Sequence, residues 1–195
     1  MPNSPTTVRT NTTLDSIKGV QLRAVTFKEL WDAYPSGNPY KNPAYTNQCA
    51  IRISVTFHRV GIEMKSFSSK LVKPLGGQSS IGRILLNGKA TATRANELGE
   101  WLRLQPFAGL GRAENVTGDN WRDRVKGRTG IIMFDGYWTR DGEAERSASG
   151  GHIDLWNGEK LTGFGTGIRT RWNIVIPGLW SDFRVSKKIL FFPIK

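Results

Sequence analysis

The sequence predicts an α+β fold in which N-terminal helices pack on one face of an antiparallel sheet, and three observations carry the prediction. Apolar residues recur at three- and four-residue spacing early in the chain, first in Phe27, Leu30, Trp31 and Tyr34 and again in Cys49, Ile53, Phe57 and Val60. That spacing is the signature of helices with one buried stripe. Later parts of the chain carry short apolar runs of strand length instead, at 129–134, around His152 and at 188–194. Helices first and strands later is the order of an α+β domain rather than of alternating βα units.

Taken in order, residues 1–25 are polar and threonine-rich and form a segment ahead of a single domain at 26–195. That segment gains order only where Leu14, Ile17, Val20 and Leu22 pack on the body. A helix opens at Thr26, because Thr followed three residues later by Glu29 is the capping-box pattern. Residues 34–43 are too rich in proline, glycine and asparagine to be regular. A second helix begins at Cys49 and stops at Gly61. The glycine-punctuated stretch that follows, to about Lys89, shows no periodicity. A helix over 93–104 turns Ala95, Leu98 and Leu102 inward, with Trp101 a further inward candidate. Residues 105–128 read as a loop. The continuous apolar run at 129–134 predicts a central strand buried on both faces. Asp135-Gly136 and the charged stretch 139–147 connect it to the His152 strand, which ends at the turn dipeptide Asn157-Gly158. Gly163-Phe164-Gly165-Thr166-Gly167 reads as a loop, since no strand leads into it and no helix follows. Pro193 suits the end or the edge of the last strand.

The 195 residues suffice for one well-buried core, and seven tryptophans and nine phenylalanines exclude a disordered basic tail. No apolar run is long enough to cross a bilayer, and residues 1–10 lack the hydrophobic core of a signal peptide. The expectation is a protein made in the cytoplasm that leaves, if it leaves, by a route reading no cleavable signal. A net charge of +12 calls for anionic partners without naming them: nucleic acid, a membrane surface, acidic cell-wall peptides or an acidic inhibitor. The densest cluster, Arg122, Arg124, Lys126 and Arg128, is broken by Asp123 and reads as a solvated loop. With no zinc-type cysteine spacing and no phosphate-binding glycine motif, neither metal nor cofactor is expected.

The chemistry centres on Cys49, the only cysteine and therefore unable to form an internal disulfide. In the first turn of a helix, the unpaired N–H groups and the positive end of the dipole favour thiolate. A lone cysteine also serves as a small core residue, so the reading turns on finding a base. His58 lies nine residues on, half a turn round the helix, and points away. His152 shares a strand face with Asp154, while Ile153 and Leu155 take the other. Trp156 is on the His152 face too, either flooring a cleft or packing in the core.

Cysteine at a helix start followed by histidine on a later strand is the order of papain-like cysteine peptidases and NlpC-type cell-wall amidases. The segments Asn47-Gln48-Cys49-Ala50-Ile51-Arg52-Ile53-Ser54 and Gly151-His152-Ile153-Asp154-Leu155-Trp156-Asn157-Gly158 together resemble the fourth family of type VI secretion amidase effectors. The similarity extends to the helix at Phe27 to Trp31, the helix at 94–104, and Gly130-Ile131-Ile132 followed by a tryptophan-containing loop. It leaves the N-terminal stretch and parts of 62–90 and 105–128 unmatched. It implies a papain-like, NlpC-type fold and a bacterial toxin, delivered by the type VI secretion machinery into a neighbour's periplasm. Such a toxin cleaves peptidoglycan stem peptides between D-glutamate and meso-diaminopimelate and is held in check by a cognate periplasmic immunity protein. Nothing in the resemblance implies nucleic acid, membrane insertion or a cofactor.

Matched residue by residue, Cys49 takes the place of the nucleophile and His152 that of the general base. The family aspartate, expected about eleven residues after the histidine, falls at Gly163, which has no carboxylate. Asp154 is the candidate for third member because strand alternation puts it on the histidine's face, with a substrate-side or solvent-facing carboxylate as the alternative. The Cys49 backbone N–H, with Asn47 or Gln48, is the candidate oxyanion donor. Two other classes stay open. A phage-type lysin or a protease would use the same Cys49 and His152 on another amide, whereas a basic nucleic-acid-binding module rests on charge and aromatics alone. The basic loops at 112–128 and 139–147 are candidates for contact with an acidic partner.

Overall fold

The helix stripes and the strand runs meet across a four-stranded antiparallel sheet in a computed structural model that describes residues 6–9, 17–20, 23–138, 150–162 and 183–195. In chain order the elements are β1 (Thr6–Arg9), β2 (Ile17–Val20), α1 (Phe27–Ala33), α2 (Cys49–Arg59), β3 (Arg83–Leu86), β4 (Lys89–Ala92), α3 (Ala95–Arg103), β5 (Glu114–Asn115), α4 (Trp121–Val125), β6 (Gly130–Trp138), β7 (Gly150–Trp156) and β8 (Lys188–Pro193). A short 3-10 helix, Phe183–Val185, precedes β8.

Local signals set the helix ends. The Glu29 carboxylate takes the Thr26 N–H at 2.9 Å and the Glu29 N–H points back to the Thr26 hydroxyl, so α1 opens on its capping box. At the far end of α2, Gly61 has φ +83°, its N–H meets the His58 carbonyl and the Ile62 N–H meets that of Phe57. This left-handed closure costs glycine little, which is why the helix stops there. Ala95, Leu98, Trp101 and Leu102 of α3 are buried as expected.

The large sheet runs β5-β8-β6-β7, with β6 inside and β7 at one edge. Ile131, Ile132, Met133 and Phe134 are all buried, and alternation divides them between two cores. Ile131 and Met133 join Ile153, Leu155, Leu190 and Phe192 under α2 and α3, and α3 lies so close that a Cβ on Gly99 would stand 3.0 Å from Met133 Cε. Ile132 and Phe134 join Trp156, Ile189 and Phe191, closed by Trp121, Val125 and Phe183. A fully buried side chain of this size contributes about 1.5–3 kcal/mol, a helix cap about 1 kcal/mol. The apolar run therefore outweighs the caps in holding the fold.

The structure departs from the sequence expectation in four places. The longer helices cover one face, but α4 and the 3-10 helix cover the other, because a strand apolar on both sides needs cover on both. The aperiodic stretch before Lys89 contains β3, paired with β4 through Asn87-Gly88, whose φ values of +51° and +74° are those of a tight hairpin turn. The supposed loop at 105–128 holds β5 and α4, and its basic cluster is partly pinned. Arg128 forks onto Glu114 at 2.6 and 2.9 Å, and Arg124 donates to the Asn115 carbonyl at 3.0 Å. Finally, the polar N-terminal stretch pairs β1 with β2. Leu14 and Leu22, the 139–147 connection and the loop at 163–167 lie outside the described residues. Pro193 sits at the end of β8, an interior strand.

Candidate active site

The start of α2 is delivered by its lead-in. Gln48 is buried, accepts the Tyr40 N–H at 3.1 Å, and donates to the carbonyls of Tyr40 at 2.7 Å and Tyr45 at 2.9 Å. Both of its amide hydrogens are thereby committed. Gln48 ties down the loop and has no side-chain donor left for an oxyanion, which corrects that expectation. Asn47 is exposed beside it. One turn into α2, Arg52 donates to Asn38 Oδ1 at 2.7 Å and ties the lead-in a second time.

Cys49 is the first residue of α2 and remains only partly buried. Its thiol meets the edge of β7 rather than a face of the sheet: it interacts with the His152 side chain and with the Ile153 N–H. Residues 153 and 155 direct backbone groups away from β6, since the Leu155 carbonyl accepts the Thr162 N–H at 3.2 Å. Burial raises the thiol's pKa, but the hydrogen bond and charge of His152 and the Ile153 N–H outweigh it, and the net shift is downwards. Burial opposes the charged imidazole likewise, yet Asp154 and Cys49 together lift His152 to about 9. The two shifts have one cause, each group favouring the charged form of the other.

His152 Nε2 faces Asp154 Oδ2 at 3.6 Å, an ion-pair distance too long for a formed hydrogen bond. Among the described residues Nε2 is buried without a hydrogen-bond partner. The exposures separate the roles: the imidazole keeps 19% of its side-chain surface and Asp154 only 2%. Asp154 is therefore neither solvent-facing nor open to a substrate, and the alternative reading of it falls. The phenol of Tyr34 reaches both Asp154 and Thr162, and burial together with the charge of Asp154 holds it well above the usual tyrosine range. Phe183 lies flat against His152, ring centres 5.5 Å apart and planes 28° apart, and stacks on Phe134 at 4.1 Å. Behind the histidine, α3 presses on β7 so closely that a Cβ on Gly151 would overlap Asn96 Oδ1.

Two other expectations resolve. Trp156 shares the His152 face but is fully buried, and its indole N–H donates to the Val125 carbonyl at 2.9 Å. It packs in the second core and does not floor a cleft, because α4 and Leu161 cover that end of the strand. His58 points away as expected and meets the Ala90 carbonyl at 2.9 Å. Sequence reasoning missed Thr162, Phe183 and the polar role of Tyr34. Tyr34 counted only as part of an apolar stripe, and nothing in spacing links Phe183 to a histidine so far upstream. Among the described residues no group of His, Cys, Asp and Glu is arranged to hold a metal, and no helix is long and apolar enough to cross a membrane.

Residues 45–192 match the family described as type VI secretion system amidase effector protein 4, Tae4. The chain belongs to this family. Tae4 proteins are peptidoglycan amidase effectors of type VI secretion, so the chain is a cell-wall hydrolase. Among the solved structures that it matches, two show the shared fold. The effector Tae4 from Salmonella typhimurium, in complex with the immunity protein Tai4 from Enterobacter cloacae, is 20% identical, with 87% of this chain and 98% of that one covered at a TM-score of 0.51. Tae4 from Enterobacter cloacae is 16% identical, with 87% and 96% covered at a TM-score of 0.52. The papain-like, NlpC-type arrangement of a Tae4 effector is thus the fold found here, with helices on an antiparallel sheet. No curated protein matches the chain in sequence.

Proposed function

We propose that Cys49, His152 and Asp154 form the catalytic group of a DL-endopeptidase that cuts stem peptides between D-glutamate and meso-diaminopimelate. The observation that carries the reading is the partly buried Cys49 at the start of α2, its thiol paired with His152 and the Ile153 N–H. The Cys49 thiolate attacks the amide carbonyl, forming the carbon–sulfur bond and placing negative charge on the oxygen. The Cys49 N–H at the helix start stabilises that oxyanion, with Asn47 the nearby side chain free to assist. His152 gives its proton to the departing amine as the carbon–nitrogen bond breaks. Water, deprotonated by the now neutral His152, then attacks the thioester, the carbon–sulfur bond breaks, and the acyl group leaves as the carboxylic acid with the thiolate and the protonated His152 restored. Asp154 holds the imidazolium through Oδ2.

Residues 26–195 form the catalytic domain, with 1–25 as an extension. The chain is delivered by type VI secretion into the periplasm of a target cell, and a cognate immunity protein blocks it, as the Tae4 of Salmonella typhimurium is solved in complex with a Tai4. The bond assignment rests on the family, and mass spectrometry of digested sacculi tests it. New fragments ending in D-glutamate are expected with the wild type and not with Cys49→Ala. Fragments ending elsewhere would move the cut to another amide.

A further inference from the structure

The Asp154 carboxylate is not merely near His152; it is turned towards it. Oδ1 accepts two hydrogen bonds, from the Leu155 N–H at 2.9 Å and from the Thr162 hydroxyl, while Oδ2 faces His152. The Leu155 donor alone is a weak constraint, because the terminal torsion of an aspartate is broad and a carboxylate can swing about it. The Thr162 hydroxyl, a second donor from another segment of chain, restricts that freedom, alongside the Tyr34 phenol that also reaches the carboxylate.

Thr162 is itself firmly placed. Its N–H pairs with the Leu155 carbonyl, Leu161 bridges to Trp156, and the turn before them is closed by Asn157 Oδ1, which accepts the N–H groups of Glu159 at 3.0 Å and Lys160 at 2.8 Å. The side chain is buried, and β-branching restricts its first torsion. Other buried hydroxyls among the described residues behave differently. Ser54 donates to the Ala50 carbonyl, Thr56 to that of Arg52, Thr91 to that of Lys89 and Ser186 to that of Phe183. Each satisfies itself on backbone, as a hydroxyl that only fills space does. Thr162 gives its proton to the carboxylate beside the candidate base.

We propose that Thr162 is a positioning residue of the catalytic site, its hydroxyl fixing Asp154 Oδ1 so that Oδ2 is presented to His152; this rests on the Cys49, His152 and Asp154 reading above. Thr162 directly precedes Gly163, where the family resemblance expects an aspartate. With no carboxylate there, the nearer Asp154 takes over and needs an external partner to aim it. Among the described residues the ionisable groups that act on the imidazole are Cys49 from α2 and Asp154 from β7; Tyr34, beyond the end of α1, reaches the carboxylate, and the charge of Arg52 of α2 acts on Tyr34.

The test is the pH dependence of kcat/KM on purified peptidoglycan for Thr162→Val, which keeps the shape and loses the hydroxyl, and Thr162→Ser, which keeps the hydroxyl, with Tm recorded for each. Thr162→Val should lower kcat about tenfold, the scale of one hydrogen bond to a charged group, with KM unchanged. It should also narrow the pH optimum from both sides, the thiolate limb moving up and the imidazolium limb moving down from about 9. Thr162→Ser should stay within about twofold of wild type, since the same bond is kept. If the valine protein does not fold, Thr162→Ala reads the same limbs. An unchanged pH profile in the variants lacking the hydroxyl would overturn the inference, as would equal losses in valine and serine proteins. Asp154→Asn separates the two levels. If it matches wild type, the catalytic reading of Asp154 fails, whereas an impaired Asp154→Asn beside a normal Thr162→Val refutes the positioning role alone.

Discussion

The two ends of β7 carry side chains on the same face and put them to opposite uses. His152 keeps part of its ring open and a buried Nε2 without a hydrogen-bond partner among the described residues. Trp156, four residues on, is sealed, its N–H satisfied and its ring set edge-on to Trp121 at 5.6 Å. Alternation assigns both to one face but says nothing about what covers it. At one end the cover is a single ring, Phe183, and a helix start; at the other it is α4 and Leu161. A polar atom left short of a partner, more than the face it lies on, separates site from core.

Substitutions at the two ends should fail in different ways. The largest effect is expected at the site: Cys49→Ala should cut turnover of sacculi by about 10⁴-fold or more with the Tm unmoved, the scale set by removing a nucleophile. Retained lysis by the folded variant would end the cysteine mechanism. At the other end, Trp156→Ala should cost about 3–5 kcal/mol in denaturant unfolding, while the protein that remains folded keeps its turnover. Loss of turnover without loss of stability would return Trp156 to the cleft. Between them, Asp154→Asn should lower turnover about 100-fold, the lower end of general acid–base contributions, and leave most of the stability intact.

The smallest effect is in pH. His152 is raised to about 9 and Cys49 is lowered, so activity should hold from below the ordinary thiol range up to about 9 and fall beyond it. The stability contribution of His152 follows the same sign. It is complete below the unfolded value of about 6.5 and is lost as pH rises through about 9. Unfolding free energy measured against pH, in wild type and His152→Ala, should differ most at pH 6, and the difference should shrink as pH rises through about 9 to the constant loss of the packed ring.

Legibility followed the length and regularity of each signal. The capping box at Thr26, the stripe ending at Gly61 and the two-sided run at 131–134 are strong local patterns, and the structure keeps all three. The β3–β4 hairpin had its signal in Asn87-Gly88, but strands of four residues carry too little alternation to stand out. In the site, Cys49 and His152 stand on a helix start and a strand where chain direction alone brings them into one reading. Gln48 could not be assigned, because donor and brace use the same amide and only the partners tell them apart. Phe183 and Thr162 act through tertiary contact, which no spacing within one element encodes.

Because Cys49 is the only thiol in the chain, its alkylation by iodoacetamide reads one residue without ambiguity. The rate against pH, in wild type and His152→Ala, is the most direct test of the pairing at the centre of the mechanism. Wild type should react well below the pH at which an ordinary thiol of pKa about 8.5 becomes reactive. Without the imidazole, burial is left to dominate and the profile should move above that value. Superimposable profiles would contradict the account, leaving Cys49 a small core residue beside an unrelated histidine.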